Sequence, residues 1–241
     1  MSKPRACNVG AGKHLVKVNV LHSNAAVGTQ ILITKGQDSI LVDVGDGSLR
    51  DLVDRRFRFE TLKAVLLTHE HFDHISGLYS LINFLTLLGR KERLLITTPR
   101  PSVRIRALLQ RPLMYYSPEF LIPVLELSGE DETQIESFRV KAFEVSHVET
   151  NALGYSVHDD GHKIVISGDT RICPSLEREV VGADIAVLES TYDDQDEDLA
   201  HEYGHMTRSE AKVLGRKSKH VLLVHSFPKG YFETNRSCPV K

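Results

Sequence analysis

Residues 66–78 read LLTHEHFDHISGL, an apolar run followed by a dense group of titratable side chains. His69, His71, Asp73 and His74 fall within six positions at the end of what reads as a buried strand. Side chains alternate along a strand, so His69 and His71 point to the same side. Asp73 and His74 come where the next helix starts and have other directions available. Because zinc, iron and manganese share imidazole and carboxylate ligands, the stretch predicts a transition-metal site with room for a second metal.

The composition is that of an ordinary soluble protein. Of the 241 residues, 41% are hydrophobic and 26% are charged, and we expect a single domain over residues 1–241. No apolar run is long enough to cross a membrane and no signal peptide is recognisable, so we expect a cytoplasmic protein. The net charge of -2 argues against a global attraction to nucleic acid. The three cysteines form no CxxC pair, which favours neither disulfides nor a cysteine zinc site.

Hydrophobic periodicity predicts two strand-rich halves, each flanked by helices. Such an order favours an α/β protein in which two sheets pack face to face with helices outside. The acidic run 193–198 is predicted to be a solvated loop. Strands are predicted at 14–21, 30–35, 39–45, 63–68, 93–98, 120–127, 137–146, 152–159, 162–167, 184–189 and 220–227, and helices at 48–57, 74–89, 102–110 and 207–217.

Three further candidate ligands each follow a predicted strand. His147 ends the segment FEVSH, Asp169 ends KIVISGD, and His225 ends VLLVH. Each one alone is as easily a hydrogen-bonded loop residue. Together with the first motif, however, they indicate separate strand ends that converge on one edge of the sheets. The sequence therefore predicts that these side chains meet those near position 70.

These motifs, in this order, resemble the metallo-β-lactamase superfamily. The resemblance rests on THEHFDHISGL, SH at 146–147, SGDT at 167–170 and VHS at 224–226, and VDVGDG at 42–47 resembles an early turn of that family. It implies a four-layer αββα sandwich (α/β, of the α+β type) with a dinuclear metal site on one edge. It also implies two divalent ions, zinc with manganese or iron as alternatives. One metal would be held by His69, His71 and His147 and the other by Asp73, His74 and His225, with Asp169 bridging.

Within the superfamily, the chain is most similar to ribonuclease Z and its phosphodiesterase relatives. LEST at 188–191, GHMT at 204–207 and LLVHSFPKGY at 222–231 resemble loops of that branch. The resemblance implies that His205 donates a proton to the leaving oxygen and that Asp73 orients the nucleophile. Glu189 either orients His205 or caps a strand. The expected function is hydrolysis of a phosphodiester, either in RNA or in a small cyclic or nucleotide phosphate.

Two departures bear on the substrate. Residues 25–30, AAVGTQ, stand where ribonuclease Z has a loop with basic residues, and they contain none. Asp169 follows His147 by only 22 positions, which leaves no room for the arm that grips transfer RNA. A lactonase or thioesterase with the same metals therefore stays an alternative. An iron redox protein is a weaker one, because that pattern has a glutamate where this chain has His71. A non-catalytic RNA-binding module has little use for a complete ligand set.

Residues 90–111 contain seven cationic side chains against one acid, Glu92. They could bind phosphates or simply solvate a helix surface. The following segment, RPLMYYSPEF at 111–120, is compatible with a lid, a base-stacking wall, a packed loop or a contact in a homodimer.

Overall fold

The computed structural model describes residues 5–10, 12, 15–110, 118–148 and 150–228. Its strands and α-helices alternate along the chain much as the periodicity predicts. The strands are β1 (Arg5–Val9), β2 (Val16–Asn24), β3 (Gly28–Lys35), β4 (Asp38–Val42), β5 (Leu62–Leu66), β6 (Leu95–Pro99), β7 (Val124–Leu127), β8 (Glu132–Ile135), β9 (Phe138–Glu144), β10 (Leu153–His158), β11 (Lys163–Ile166), β12 (Ile185–Glu189) and β13 (His220–Val224). The helices are α1 (Ser48–Asp54), α2 (Phe72–Ile75), α3 (Leu78–Leu87), α4 (Val103–Gln110), α5 (Pro174–Val180), α6 (Glu197–Glu202) and α7 (Arg208–Gly215).

The strands form two mixed sheets. The first has the order β1-β2-β3-β4-β5-β6-β7 and the second β13-β12-β11-β10-β9-β8. In the first sheet, β1 to β4 pair antiparallel and β4 to β7 pair parallel. In the second, β8 to β11 pair antiparallel and β11 to β13 pair parallel. Each half therefore combines a hairpin meander with crossover connections through helices.

Three apolar clusters define the layers. One lies between the sheets and joins side chains such as Val18 and Ile33 to Phe138 and Tyr155. A second joins the outer face of the first sheet to α1, α3 and α4, and a third joins the second sheet to α5 and α7. Each sheet thus buries both faces, which is why its central strands read as continuous apolar runs. The predicted four-layer αββα sandwich is confirmed.

The sheet directions bring one set of strand ends to the same edge. Strands β4 and β5 run parallel, as do β11, β12 and β13, and β9 runs parallel to β11 because both pair antiparallel with β10. Two contacts tie the sheets together at this edge: Leu153 N donates to Thr68 O, and Asn24 bridges Ser226. The carboxyl ends of all six strands therefore open onto the region that follows β5.

The predicted helix 74–89 is wrong in its continuity. It is broken into α2 and α3 by Ser76 and Gly77, and Gly77 N donates to Val44 O. A Cβ at Gly77 would collide with the backbone carbonyl of Gly45, so only glycine lets the chain pass this close to the turn after β4. The break separates the short motif helix from the helix that packs on the sheet.

Other differences lie where the sequence carries weak periodicity. The edge strands β1 and β8 and the helices α5 and α6 were not predicted, and α6 begins within the acidic run that was expected to be a loop. Pro123 precedes β7, which is an edge strand. A turn that includes Asp159 joins β10 to β11, and Thr207 forms a capping box with Glu210 at the start of α7. Among the described residues, no helix is both long and apolar enough to cross a membrane.

Candidate active site

The side chains singled out in the sequence lie together at the shared edge of the two sheets. His69, His71 and His147 bring one nitrogen each within 4.8 Å of one another, as do the ligand atoms of Asp73, His74 and His225. Asp169 lies between the two groups. Its Oδ2 is 3.8 Å from His69 Nε2, 3.3 Å from His74 Nε2 and 3.3 Å from His225 Nε2.

Four of the imidazoles are oriented by a contact at Nδ1. This nitrogen lies 3.0 Å from Thr68 Oγ1 in His69, 2.8 Å from Asp43 Oδ2 in His74, 3.1 Å from Gly204 O in His147 and 3.0 Å from Thr191 Oγ1 in His225. Assigned from these oxygen partners, the proton sits on Nδ1 and the lone pair on Nε2. Each Nε2 therefore faces the centre of the cluster as a candidate ligand atom.

Imidazole nitrogens of different residues converge at the centre of the cluster. His147 Nε2 lies 3.2 Å from His71 Nδ1, and His74 Nε2 lies 3.4 Å from His225 Nε2. The buried Nε2 of His69 has no hydrogen-bond partner within the described ranges. A buried polar atom without a partner costs free energy, and a bound cation would give the converging nitrogens a common partner. These residues therefore fit divalent cations well.

The ionisation of these side chains is also compatible with metal binding. Burial lowers the pKa of His69 well below its usual value, and burial lowers the pKa of His147 to about 4. Burial alone would raise the pKa of Asp73, but its contact with His225 and the charge of His74 bring it down to about 2. Neutral imidazoles and ionised carboxylates are the forms that bind metal.

His74 and Asp169 show how strongly the site favours positive charge at its centre. Burial would lower the pKa of His74, but the carboxylates of Asp169 and Asp43 raise it well above its usual value. Burial would raise the pKa of Asp169, but the charges of His225 and His74 hold it well below its usual range. A proton on His74 thus supplies, in part, the charge that a bound cation would supply.

His205 stands beside this cluster on the loop between α6 and α7. Its Nδ1 lies 2.9 Å from Glu189 Oε1, and it forms a third group with His147 and Asp169. Glu189 is buried, and it accepts hydrogen bonds from Thr170 N, Thr191 N and Thr191 Oγ1. Burial lowers the pKa of His205, but the Glu189 carboxylate outweighs burial and raises it to about 9.

Comparison with known proteins gives the family. The family model of the beta-lactamase superfamily domain matches residues 39–225. Ribonuclease Z of Pyrococcus horikoshii is 30% identical, over 84% of this chain and 81% of that protein. The chain belongs to the ribonuclease Z-like branch of the beta-lactamase superfamily. It is therefore a metal-dependent hydrolase, as the sequence resemblance implies.

Solved structures of other proteins share this fold. The short form of human tRNase Z superposes with a TM-score of 0.78 at 24% identity, covering 88% of this chain and 93% of that one. The metallo-beta-lactamase fold protein YhfI of Bacillus subtilis gives a TM-score of 0.76 at 23% identity, covering 92% and 90%. At these identities, the two structures establish the shared fold.

In this member of the superfamily, Asp43 is a site residue that the sequence analysis missed. It follows β4 and has the left-handed φ of 57°. Its Oδ1 accepts from Thr68 N at 2.8 Å, and its Oδ2 lies 2.8 Å from His74 Nδ1. A carboxylate directly after a buried strand was the same signal that pointed to Asp169. Asp43 thus holds two neighbouring imidazoles in place, one directly and one through Thr68.

Replacing Asp43 by asparagine is expected to weaken metal binding by about 10- to 100-fold, the usual cost of losing a carboxylate behind a metal-ligating histidine. Chelator competition monitored by metal release measures this affinity. Asp38→Asn is a suitable control, because Asp38 lies at the opposite end of β4 and accepts from Ser137 N. Equal affinities in the wild type and in Asp43→Asn would contradict the role given to Asp43.

The basic segment is mostly occupied in holding the fold together. Arg90 is buried and donates to the carbonyls of Phe59, Leu62, Glu92 and Arg93. Lys91 pairs with Glu119, and Arg106 pairs with Glu126. The hypothesis of a continuous phosphate-binding strip is therefore not supported by these residues. Residues 111–117, which include the two tyrosines of the suggested lid, lie outside the described residues.

Proposed function

We propose that this chain hydrolyses phosphodiester bonds with two divalent cations held at the shared edge of its sheets. The observation that carries the proposal is the pair of ligand groups that flank Asp169, with their nitrogen lone pairs turned inward. His69, His71 and His147 would hold one cation, and Asp73, His74 and His225 the other, with Asp169 between them. Such a pair of cations lowers the pKa of bound water and neutralises charge on the phosphoryl oxygens.

The protein side chains would contribute orientation and a proton. Ala26 N donates to Asp73 Oδ2 at 2.9 Å, which fixes the carboxylate that would orient the attacking water. His205 would protonate the departing oxygen from Nε2, because its Nδ1 is engaged by Glu189. Glu189 in turn is fixed by backbone donors, so the imidazole is held in one orientation.

Zinc is the cation that we propose, with manganese or iron as substitutes. A set rich in neutral imidazoles suits zinc better than magnesium or calcium, which take oxygen ligands. The reaction needs no change of oxidation state, and it is therefore compatible with zinc. Elemental analysis of the purified protein is expected to give about two metal ions per chain, the number that a two-metal site requires.

The relatives and the size of the site loops support the proposed substrate class. Curated relatives are named ribonuclease Z, and one structural neighbour is a diphosphatase of the PhnP family. Between His147 and Asp169 the chain contains β10 and β11 joined by a tight turn. This short connection leaves no arm for gripping a distant part of a transfer RNA. We therefore propose RNA ends or small nucleotide phosphodiesters as substrates.

Hydrolysis of bis-p-nitrophenyl phosphate tests this function directly. The metal-loaded protein is expected to release p-nitrophenol, to lose this activity in EDTA and to regain it when zinc or manganese is added. A lactone and a thioester assayed in parallel serve as competing substrate classes. Activity on either of those without activity on the phosphodiester would contradict the proposal, as would bound iron with a visible absorption band in a protein that does not hydrolyse the phosphodiester. Precursor transfer RNA and cyclic nucleotides then separate the two substrate sizes.

A further inference from the structure

Phe72 is an exposed aromatic residue inside the candidate metal motif. It lies between His71 and Asp73, at the first position of α2, and its side chain is 78% exposed. No other large hydrophobic residue in the described part of the chain is more exposed. Among the described residues, no aromatic ring packs against it. Its position is fixed by two neighbours that face the centre, so the ring stands on the rim of the site.

The surface beside Phe72 is also apolar. The turn between β2 and β3 approaches the motif, because Ala26 N donates to Asp73 Oδ2. Ala26 and Val27 are both exposed there. The exposed Ala26 and Val27 therefore add small apolar groups to this part of the rim.

Arg104 stands on the other side of the same motif. Its backbone N–H and that of Ile105 donate to the two carboxylate oxygens of Glu70, at 3.2 and 3.0 Å, and Arg104 Nη1 donates to Glu70 O at 3.1 Å. Glu70 is the residue between His69 and His71. These reciprocal bonds hold the first turn of α4 against the metal motif and keep the guanidinium close to it.

The guanidinium of Arg104 keeps most of its donors available. Its side chain is exposed, and within the described ranges no carboxylate lies at ion-pair distance from it. Arg90 and Arg106 differ in this respect, since carbonyls or Glu126 occupy their donors. An arginine held in this way suits a phosphate group.

We propose that Phe72 and Arg104 bind one nucleotide next to the metal centre, with its base stacked on the Phe72 ring and a non-scissile phosphate paired with Arg104. This recognition pair rests on the proposed phosphodiesterase function and narrows its substrates to nucleotides. Aromatic rings bind bases of any sequence through their π-faces, whereas arginine supplies planar donors for phosphate. The exposed ring at position 72 and the cation bonded to Glu70, two residues before it, offer separate contacts for the base and for a phosphate of one nucleotide.

Equilibrium binding to the metal-loaded protein tests the aromatic half. Adenosine 5′-monophosphate and ribose 5-phosphate differ only by the base. Phe72→Ala is expected to weaken binding of the nucleotide about tenfold, as for loss of one stacked base, and to leave the sugar phosphate unchanged. Phe72→Tyr is expected to restore nucleotide binding. Leu121→Ala is the matched control, because Leu121 is 77% exposed on another part of the surface.

The cationic half is tested with adenosine 3′,5′-bisphosphate against adenosine 5′-monophosphate. Arg104→Ala is expected to remove about a tenfold preference for the second phosphate, the size expected for a charge-assisted hydrogen bond. The backbone N–H groups that cap α4 through Glu70 remain in this variant. Arg93→Ala is the control, since Arg93 is an exposed arginine of the same basic segment.

The results separate this proposal from the proposed function. If the wild type fails to hydrolyse bis-p-nitrophenyl phosphate, the phosphodiesterase function is wrong, and the recognition proposal falls with it. If the wild type hydrolyses that ester but Phe72→Ala and Arg104→Ala bind all ligands as the wild type does, only the recognition pair is overturned. A Phe72→Ala variant that turns a dimer into a monomer without losing nucleotide affinity would assign the ring to an interface between two copies, and would equally overturn it.

Discussion

Replacing Asp169 by alanine is expected to abolish turnover and to lower the metal content of the purified protein. Its Oδ2 lies within 3.8 Å of three imidazole nitrogens that belong to both ligand groups. No other carboxylate of the motif has this position, because Asp73 approaches only the group that contains His74 and His225. Loss of several kcal/mol of charge stabilisation corresponds to a fall in kcat of about a thousandfold or more.

Elemental analysis and initial rates on one protein preparation measure both effects. Asp184→Ala is the matched control: Asp184 is also a buried carboxylate, but it accepts from Lys163 N and Lys219 Nζ at the start of β12, away from the site. The control is expected to lose stability and to keep its metal. If Asp169→Ala retained two metal ions per chain, Asp169 would not be the ligand that the two groups share.

The sequence predicts those site residues that come shortly after strands, because the ends of parallel strands meet at one edge of a sheet. The motif after β5 is local, so its spacing is visible without any knowledge of the fold. His147, Asp169 and His225 could be added because each lies within three residues of the end of a strand, and the sheet topology gives these strands a common direction. Titratable residues that follow an apolar run can thus be recognised as candidate site residues in a single sequence.

The contacts that complete the site are invisible in the same sequence. The bond between Asp43 and His74 joins positions 31 residues apart, and Ala26 reaches Asp73 across 47 residues. Glu70 reads as a spare acid in the motif, but it caps α4, which is 34 residues away. These partners depend on how the loops after β2, β4 and β6 approach one another, and no periodicity describes that approach.

In the basic segment, the composition of the sequence overestimates the number of cations that are available for binding. Its cations look like one surface in the sequence, but they divide into buried, paired and free side chains once α4 and β7 are placed. Arg90 is enclosed by four carbonyls, whereas Arg104 donates from Nη1 to Glu70 O and keeps its other guanidinium donors available. Charge density along the chain therefore predicts neither the location nor the availability of a binding cation.

Glu189→Gln is expected to move the alkaline limb of the pH–rate profile to lower pH. A general acid must carry its proton, so activity is present below the pKa of His205 and is lost as the pH rises through that value. In the wild type this pKa is raised to about 9 by Glu189 against the effect of burial. A neutral amide at position 189 removes the raising charge and leaves burial, which lowers the pKa. The variant therefore loses activity at a pH where the wild type is still fully active.

The identity of the leaving group distinguishes this role from a structural one. p-Nitrophenolate departs without a proton, whereas the ribose oxygen of a dinucleotide needs one. His205→Ala is therefore expected to slow cleavage of a dinucleotide by about 10²- to 10⁴-fold, the usual contribution of a general acid, and to affect the nitrophenyl ester far less. Glu210→Gln is the matched control for Glu189→Gln. Glu210 Oε1 lies 2.8 Å from His201 Nε2, and this second histidine–glutamate pair is not part of the cluster. Equal losses of activity on both esters would show that His205 has a structural role and that another group protonates the leaving oxygen. An alkaline limb at the same pH in Glu189→Gln and in the wild type would show that Glu189 does not set the pKa of the general acid.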